Sequence, residues 1–377
     1  MRVLIDSNIP FIKGILEPYA DVAYLSGSEF TAELVRDADA LIVRTRTRCD
    51  ERLLGGSAVK MIATATIGTD HIDLEYCSKV GIKVVNAAGC NAGGVMQYVF
   101  TALYSLAERK GFVLPAPAEG GGGLELSGRK KCVMGVIGVG NVGGRVADLA
   151  EKLGFEVLRC DPLKEREQTL AFNGGRLRLE EFKDYYSLDY LLENSDIVTM
   201  HTWLDEKTKG MAGGDFFARM KDGAVFVNAS RGEVVDDKAL LDNARRFDAV
   251  VIDVWNGEPV IDKSLLDVVD IATPHIAGYS YEGKVNGTVM SVRSVADFFD
   301  IAPLKGFVAG EPVSESNIVD FSCLNYLQIS KKLTGIFPIF EDDFNLRSNP
   351  DSFEKLRSNY NYRREFYANP TTKTTNR

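Results

Sequence analysis

The chain has 377 residues, more than one core usually holds, so two or three domains are expected. With 44 Lys and Arg against 53 Asp and Glu the net charge is −9, which argues against nucleic-acid or anionic-membrane partners while allowing a local basic pocket for a small anion. Six cysteines without a CxxC pair read as reduced apolar fillers, not as disulfides or a metal site, and neither a leader pattern nor a bilayer-length apolar run appears, so a cytoplasmic location is expected.

Short apolar strands are expected at residues 3–5, 22–25, 40–43, 61–63 and 83–85, alternating with helical stretches, which implies a parallel sheet covered by helices. A long helical pattern over 91–109 reads as a bridge between domains. Residues 114–128 hold Pro115, Pro117 and four glycines at 120–123, a composition suited to a surface loop. A second strand and helix series follows, with strands at 133–137, 156–160, 197–200, 224–227, 249–252 and 271–272. A helical stretch over 282–299 precedes a mixed tail of turns, aromatics and charge, whose end at 371–377 reads as disordered.

Strand 133–137 runs directly into Gly138-Val139-Gly140-Asn141-Val142-Gly143, and the next strand ends on the acid Asp161. In that context the first glycine permits a tight turn, the second lets a pyrophosphate approach the backbone, and the third lets the helix pack on its strand. The helix start adds unpaired N–H groups and a positive dipole end. A dinucleotide site is therefore expected at Gly138, Gly140, Asn141, Val142 and Gly143. Asp161 is expected to accept from the adenosine ribose hydroxyls and to repel a 2′-phosphate, which selects NAD over NADP.

Three later strand ends carry Asn228-Ala229-Ser230-Arg231-Gly232, Asp253-Val254-Trp255-Asn256-Gly257-Glu258-Pro259 and Pro274-His275-Ile276-Ala277-Gly278-Tyr279. Strand carboxyl ends line the crevice of a doubly wound sheet, so Arg231, Glu258 and His275 are expected to converge. A guanidinium can hold an α-carboxylate by two hydrogen bonds, an imidazole can take a hydroxyl proton, and a carboxylate can orient that ring. Taken singly, each has an ordinary structural reading as surface charge, loop acid or buried histidine. Their order behind a dinucleotide turn favours chemistry. His201 reads as a packing or cofactor contact, and His71 as a cap for the helix beginning near it. Arg44, Arg46 and Arg48 would share one face if their strand continued, which suits a phosphate or equally a solvated edge.

This order of motifs resembles the D-isomer-specific 2-hydroxyacid dehydrogenases across residues 1–300. The resemblance implies Arg231, Glu258 and His275 as catalytic residues, and NAD contacts from Thr202, Ala229, Ser230, Asp253 and Gly278 beside Asp161. It also implies substrate contacts from Thr45, Thr66 and Tyr279, with Arg44 and Arg46 as phosphate candidates. No metal is implied. The implied partner is a small phosphorylated 2-hydroxy acid. A sister activity on another such acid shares every catalytic residue, but the tail does not read as the βαββαβ module often attached there. An NAD-sensing scaffold is a rival of another class, which the intact Arg-Glu-His set disfavours.

The expected architecture is α/β: two doubly wound parallel-sheet domains, with 1–94 plus 279–300 as the substrate domain and 95–278 as the NAD domain. Residues 301–377 would form a small α+β dimerisation domain. Phe337, Phe340, Phe344, Phe353, Tyr360, Tyr362, Phe366 and Tyr367 supply more aromatic area than a linker requires, so a homodimer through this segment is expected, with Arg363 and Arg364 as candidates to reach the partner's site.

Overall fold

The computed structural model describes residues 1–117, 132–174, 176–177, 181–312 and 314–368. The glycine tract at 120–123 and the chain end at 371–377 lie outside them. The chain divides into two compact units, Met1–Ala92 with Tyr279–Val313, and Gly93–Gly278 with Ser314–Arg377.

In the first unit β1 (Arg2–Asp6), β2 (Asp21–Leu25), β3 (Ala40–Val43), β4 (Met61–Thr64) and β5 (Lys83–Asn86) form one sheet in the order β2-β1-β3-β4-β5. Every pairing in it is parallel. All residues of β3 and β4 are buried, because both faces are covered, and this is why they read as unbroken apolar runs instead of alternating ones. Helix Tyr281–Phe298, capped by the Ser280 side chain accepting from the Gly283 N–H, covers one face. Its Val292, Val295 and Ala296 pack with Val3, Ile5, Ala40 and Ile42.

The second unit holds β6 (Val133–Ile137), β7 (Glu156–Cys160), β8 (Ile197–Met200), β9 (Val225–Asn228), β10 (Ala249–Ile252) and β11 (Ile271–Ala272), ordered β11-β10-β9-β8-β6-β7 and again parallel throughout. Helix Asn141–Leu153 follows β6, buries Val146, Ala147, Leu149, Ala150 and Leu153 on one side, and ends at Gly154 with φ 95°. The long helix Ala92–Lys110 packs Tyr98, Val99, Phe100, Leu103 and Tyr104 into the same core. All strands and long helices expected from the sequence are present, within a residue or two at each end.

The segment after Ser314 is mainly helical: Tyr326–Ile336, Ile339–Ser348 and Phe353–Ser358, with a two-residue pairing of β12 (Ile318–Val319) and β13 (Tyr367–Ala368). It groups with the second unit, whereas residues 301–312 group with the first. Phe337, Phe353 and Phe366 are buried within the chain, while Phe344 is 68% and Tyr367 38% exposed. Three of the aromatics expected at an association surface therefore build the unit's own core. Asp343 accepts from the Ala272 N–H at 2.7 Å and pairs with Arg347, whose guanidinium donates to the carbonyls of Leu266 and Val269. Edge strand β11 is thus capped by the tail, which leaves no bare edge there.

Candidate active site

The turn after β6 has the shape its sequence suggests. Gly138 has φ 83°, and a Cβ there would lie 2.7 Å from the His201 carbonyl oxygen; a Cβ on Gly143 would lie 1.9 Å from the Gly138 carbonyl oxygen. A Cβ on Gly140 would meet nothing within 4 Å. The first and third glycines are thus fixed by close approach within the chain, and the second faces open space. Helix Asn141–Leu153 begins there with no side chain capping its N–H groups. At the end of β8, His201 Nδ1 and Thr202 Oγ1 are inaccessible and have no hydrogen-bond partner. Orphaned buried polar atoms are uncommon in folded proteins. Together with an uncapped helix start and an open glycine, they suit the phosphates and ribose of a dinucleotide. His201 Nε2 lies 3.0 Å from Thr199 Oγ1, and burial pushes the imidazole pKa down to about 3, so the ring is neutral.

Asp161, expected at the ribose, also has partners within the chain. One oxygen accepts the Val139 N–H at 2.8 Å and the other caps helix Pro162–Asn173 through the N–H groups of Leu163 and Lys164. It braces the glycine turn, and the oxygen that accepts from Val139 keeps a lone pair for a further donor. Ser230 is buried and donates its N–H and hydroxyl to Asn228 Oδ1, and Ala229 is half-buried. Asp253, expected to touch NAD, is 1% exposed. Its carboxylate accepts from Thr273 Oγ1 at 2.7 Å, Ile276 N–H at 2.8 Å and Ala277 N–H at 2.9 Å. Asp253 therefore folds the loop that carries His275 and Gly278; burial raises its pKa, and these donors and His275 oppose the rise.

The catalytic candidates sit on adjacent strand ends of the second unit. A Cβ on Gly232 would lie 2.1 Å from the Trp255 carbonyl carbon, so glycine after Arg231 is what allows the β9 and β10 loops to meet. Arg231 follows, with Nη1 donating to the Ser230 carbonyl at 2.7 Å. Glu258 Oε1 accepts from the Trp255 N–H at 2.9 Å, and Oε2 lies 2.7 Å from His275 Nδ1. His275 is a non-glycine residue at φ 56°, a conformation held by its own N–H on the Asp253 carbonyl at 2.7 Å and costing on the order of 1–3 kcal/mol. Burial opposes the charge on Glu258, but the hydrogen bond and charge of His275, the Trp255 N–H and the Arg357 guanidinium outweigh it and hold the pKa below the usual carboxylate value. With Nδ1 donating to a carboxylate, Nε2 is the ring nitrogen left to accept a proton.

The remaining candidates belong to the first unit. Thr66 Oγ1 lies 2.7 Å from Thr64 Oγ1 and donates to the Gly68 carbonyl. Thr45 is exposed, on a turn, and the Tyr279 ring lies 3.7 Å from Lys284 Nζ. β3 ends at Val43 and the chain turns, so Arg44, Arg46 and Arg48 do not form the aligned face that a continued strand would give. Arg44 instead donates to the Asn8 carbonyl at 3.0 Å, and Arg48 reaches Asp50 and the Asp70 carbonyl. His71 is not a cap: Asp73 caps helix Leu74–Val80, and His71 is buried with Nε2 3.2 Å from Thr64 Oγ1. Arg363, considered for a partner's site, is 8% exposed and bonded inside its own chain. Sequence reasoning missed Arg357, 3.6 Å from Glu258; nothing in its local spacing links it to a loop about a hundred residues earlier.

Residues 119–277 match the family described as D-isomer specific 2-hydroxyacid dehydrogenase, NAD binding domain. An erythronate-4-phosphate dehydrogenase of Bacteroides fragilis is 43% identical over 97% of both chains. One of Klebsiella pneumoniae is 37% identical over 97% of this chain and 92% of its own. Among solved structures, D-lactate dehydrogenase of Aquifex aeolicus with NAD and lactic acid aligns with a TM-score of 0.63 at 25% identity, covering 83% of this chain and all of that one. NAD-bound 3-phosphoglycerate dehydrogenase of Entamoeba histolytica gives 0.61 at 26%, covering 83% and 99%.

Proposed function

Since the chain belongs to the D-isomer-specific 2-hydroxyacid dehydrogenase family, we propose that it oxidises 4-phospho-D-erythronate to (R)-3-hydroxy-2-oxo-4-phosphooxybutanoate with NAD, a step of pyridoxal 5′-phosphate (vitamin B6) biosynthesis. Relatives of that name align along nearly the whole chain. The observation that carries the chemistry is the 2.7 Å hydrogen bond between His275 Nδ1 and Glu258 Oε2, on a strand end of the sheet whose glycine turn suits a dinucleotide. NAD, when bound, supplies the acceptor for the hydride leaving C2. His275 Nε2 takes the C2 hydroxyl proton, Glu258 orients the ring and stabilises the imidazolium, and Arg231 holds the α-carboxylate and polarises the oxygen on C2. Gly138, Gly140, Asn141, Val142, Gly143, Asp161, Thr202, Ala229, Ser230 and Gly278 are the cofactor-side residues. Asp253 serves that side through the loop it folds. Thr45, Thr66 and Tyr279 are proposed substrate contacts on the strength of the family resemblance, with Arg44 and Arg46 as phosphate candidates.

Steady-state kinetics with 4-phosphoerythronate, 3-phosphoglycerate and unphosphorylated 2-hydroxy acids tests the substrate. The highest kcat/KM is expected for 4-phosphoerythronate, and a preference for either of the others refutes the assignment. The described tail residues from Ser314 form three helices and one two-residue strand pair, unlike a βαββαβ regulatory module. We also propose a cytoplasmic homodimer through the tail, supported by the exposed Phe344 and Tyr367; no described helix is long and apolar enough to cross a membrane. Light scattering on the full chain decides the dimer, and a monomer mass at micromolar concentration would exclude it.

A further inference from the structure

We infer that Arg357, near the end of tail helix Phe353–Ser358, is a positioning residue for the Glu258–His275 pair, so that the C-terminal segment sets the pH range in which the pair accepts a proton. This rests on the reading of Glu258 and His275 just given. Arg357 Nη1 lies 3.6 Å from Glu258 Oε2, with the two side chains 24% and 17% exposed. That oxygen is the one bonded to His275 Nδ1. The helix is not a loose arm: Phe353 is buried and Leu356 packs with it against a core that includes Trp255, Ile261 and Leu265, the surroundings of the Glu258 loop. A second tail arginine bonds the residues that follow the other half of the pair. Arg363 donates to the carbonyls of Ile276, Ala277 and Gly94 and lies 4.1 Å from the Phe337 ring centre. The tail thus grips the glutamate loop through Arg357 and the histidine loop through Arg363.

Among the described residues, the charged groups placed at the pair are Arg357 at the shared oxygen, Asp253 under the His275 loop and Arg363 on the carbonyls following His275. A cation on Oε2 draws density from the oxygen that would stabilise an imidazolium. Removing that cation therefore favours the imidazolium, and this sets the sign that the test reads. Arg357→Gln removes the charge and Arg357→Lys keeps it. The chain has three histidines, so the ring of His275 can be followed by NMR in the free protein alongside the pH profile of kcat/KM for oxidation. For Arg357→Gln, both the acid limb and the ring titration should move up by about one pH unit, an activity loss of roughly tenfold below the limb. Arg357→Lys should stay within a few tenths of a unit of the parent by the same reasoning. An unmoved Gln variant, or a Lys variant shifted as far as Gln, overturns the inference. If no phosphorylated hydroxy acid is oxidised, the functional reading fails by itself, and the ring titration still decides the role of Arg357.

Discussion

Over five strands the two sheets share one order, to which the second adds β11, and in each the order reverses beside the first strand, between β1 and β3 or between β6 and β8. Such switch points are where open α/β sheets bind ligands. In the first unit side chains bond to the backbone at this point. Asp6, 2% exposed, accepts the Asn8 N–H at 2.9 Å, and Arg44 from the end of β3 donates to the Asn8 carbonyl. In the second unit Gly138 abuts the His201 carbonyl, Gly140 faces open space, and His201 Nδ1 and Thr202 Oγ1 are left without partners. One topology thus carries an arginine bonded to backbone in one corner and an open glycine beside unpartnered polar atoms in the other. The fold supplies the place, and the residue types decide whether anything binds there.

Gly143→Ala is the harshest test of that contrast, because its Cβ would lie 1.9 Å from the Gly138 carbonyl oxygen and backbone must move. A loss of about 3 kcal/mol in stability and of measurable NAD affinity is expected; denaturant unfolding and calorimetric titration check both, and a variant with parental stability and affinity would show that the third glycine is not needed. Gly140→Val separates folding from binding. Its Cβ meets open space, so the melting temperature should hold within a few degrees while NAD affinity falls about tenfold or more, through the backbone approach it blocks. Unchanged affinity would place the pyrophosphate elsewhere.

Asp161→Ala should cost about 1 kcal/mol from the lost helix cap and narrow the gap between NAD and NADP affinity by removing the repulsion of a 2′-phosphate. An unchanged ratio means that another group reads the ribose. Titration of His201 gives a signed effect, read from the pH dependence of stability. Its folded pKa is lowered to about 3 from 6.5, so the unfolded chain binds the extra proton, and stability is full above the upper value and falls with pH through the window between them. His201→Gln should flatten that slope in urea midpoints measured from pH 7 to pH 4, and an unaltered slope would mean the ring is charged in the folded chain. Arg44→Ala, at the first unit's corner, should leave NAD affinity within about twofold; a larger loss would erase the distinction between the two corners.

Most of this was legible in the sequence because it is local. The strands of both sheets are short apolar runs, the glycine turn has fixed spacing, and the Arg, Glu and His candidates each lie just past a strand. What was not legible depends on long-range packing. The alternation of Arg44, Arg46 and Arg48 suggested a shared face, but the chain turns after Val43. The resemblance implied Asp253 as a cofactor contact, yet its oxygens accept from donors twenty or more residues later. The tail's aromatics carry no sign of which side they cover, and Phe337, Phe353 and Phe366 turn out to be internal. The approach of Arg357 to Glu258 exists only once those aromatics are packed.

Single-turnover absorbance at the nicotinamide band, with enzyme in excess over NAD and 4-phosphoerythronate supplied, tests the central claim that the Glu258–His275 pair on the second unit takes the substrate proton. The parent should form reduced nicotinamide in a rapid phase, and His275→Ala should form it slower by roughly two to four powers of ten while still binding NAD. A His275→Ala trace that overlays the parent's would contradict the account.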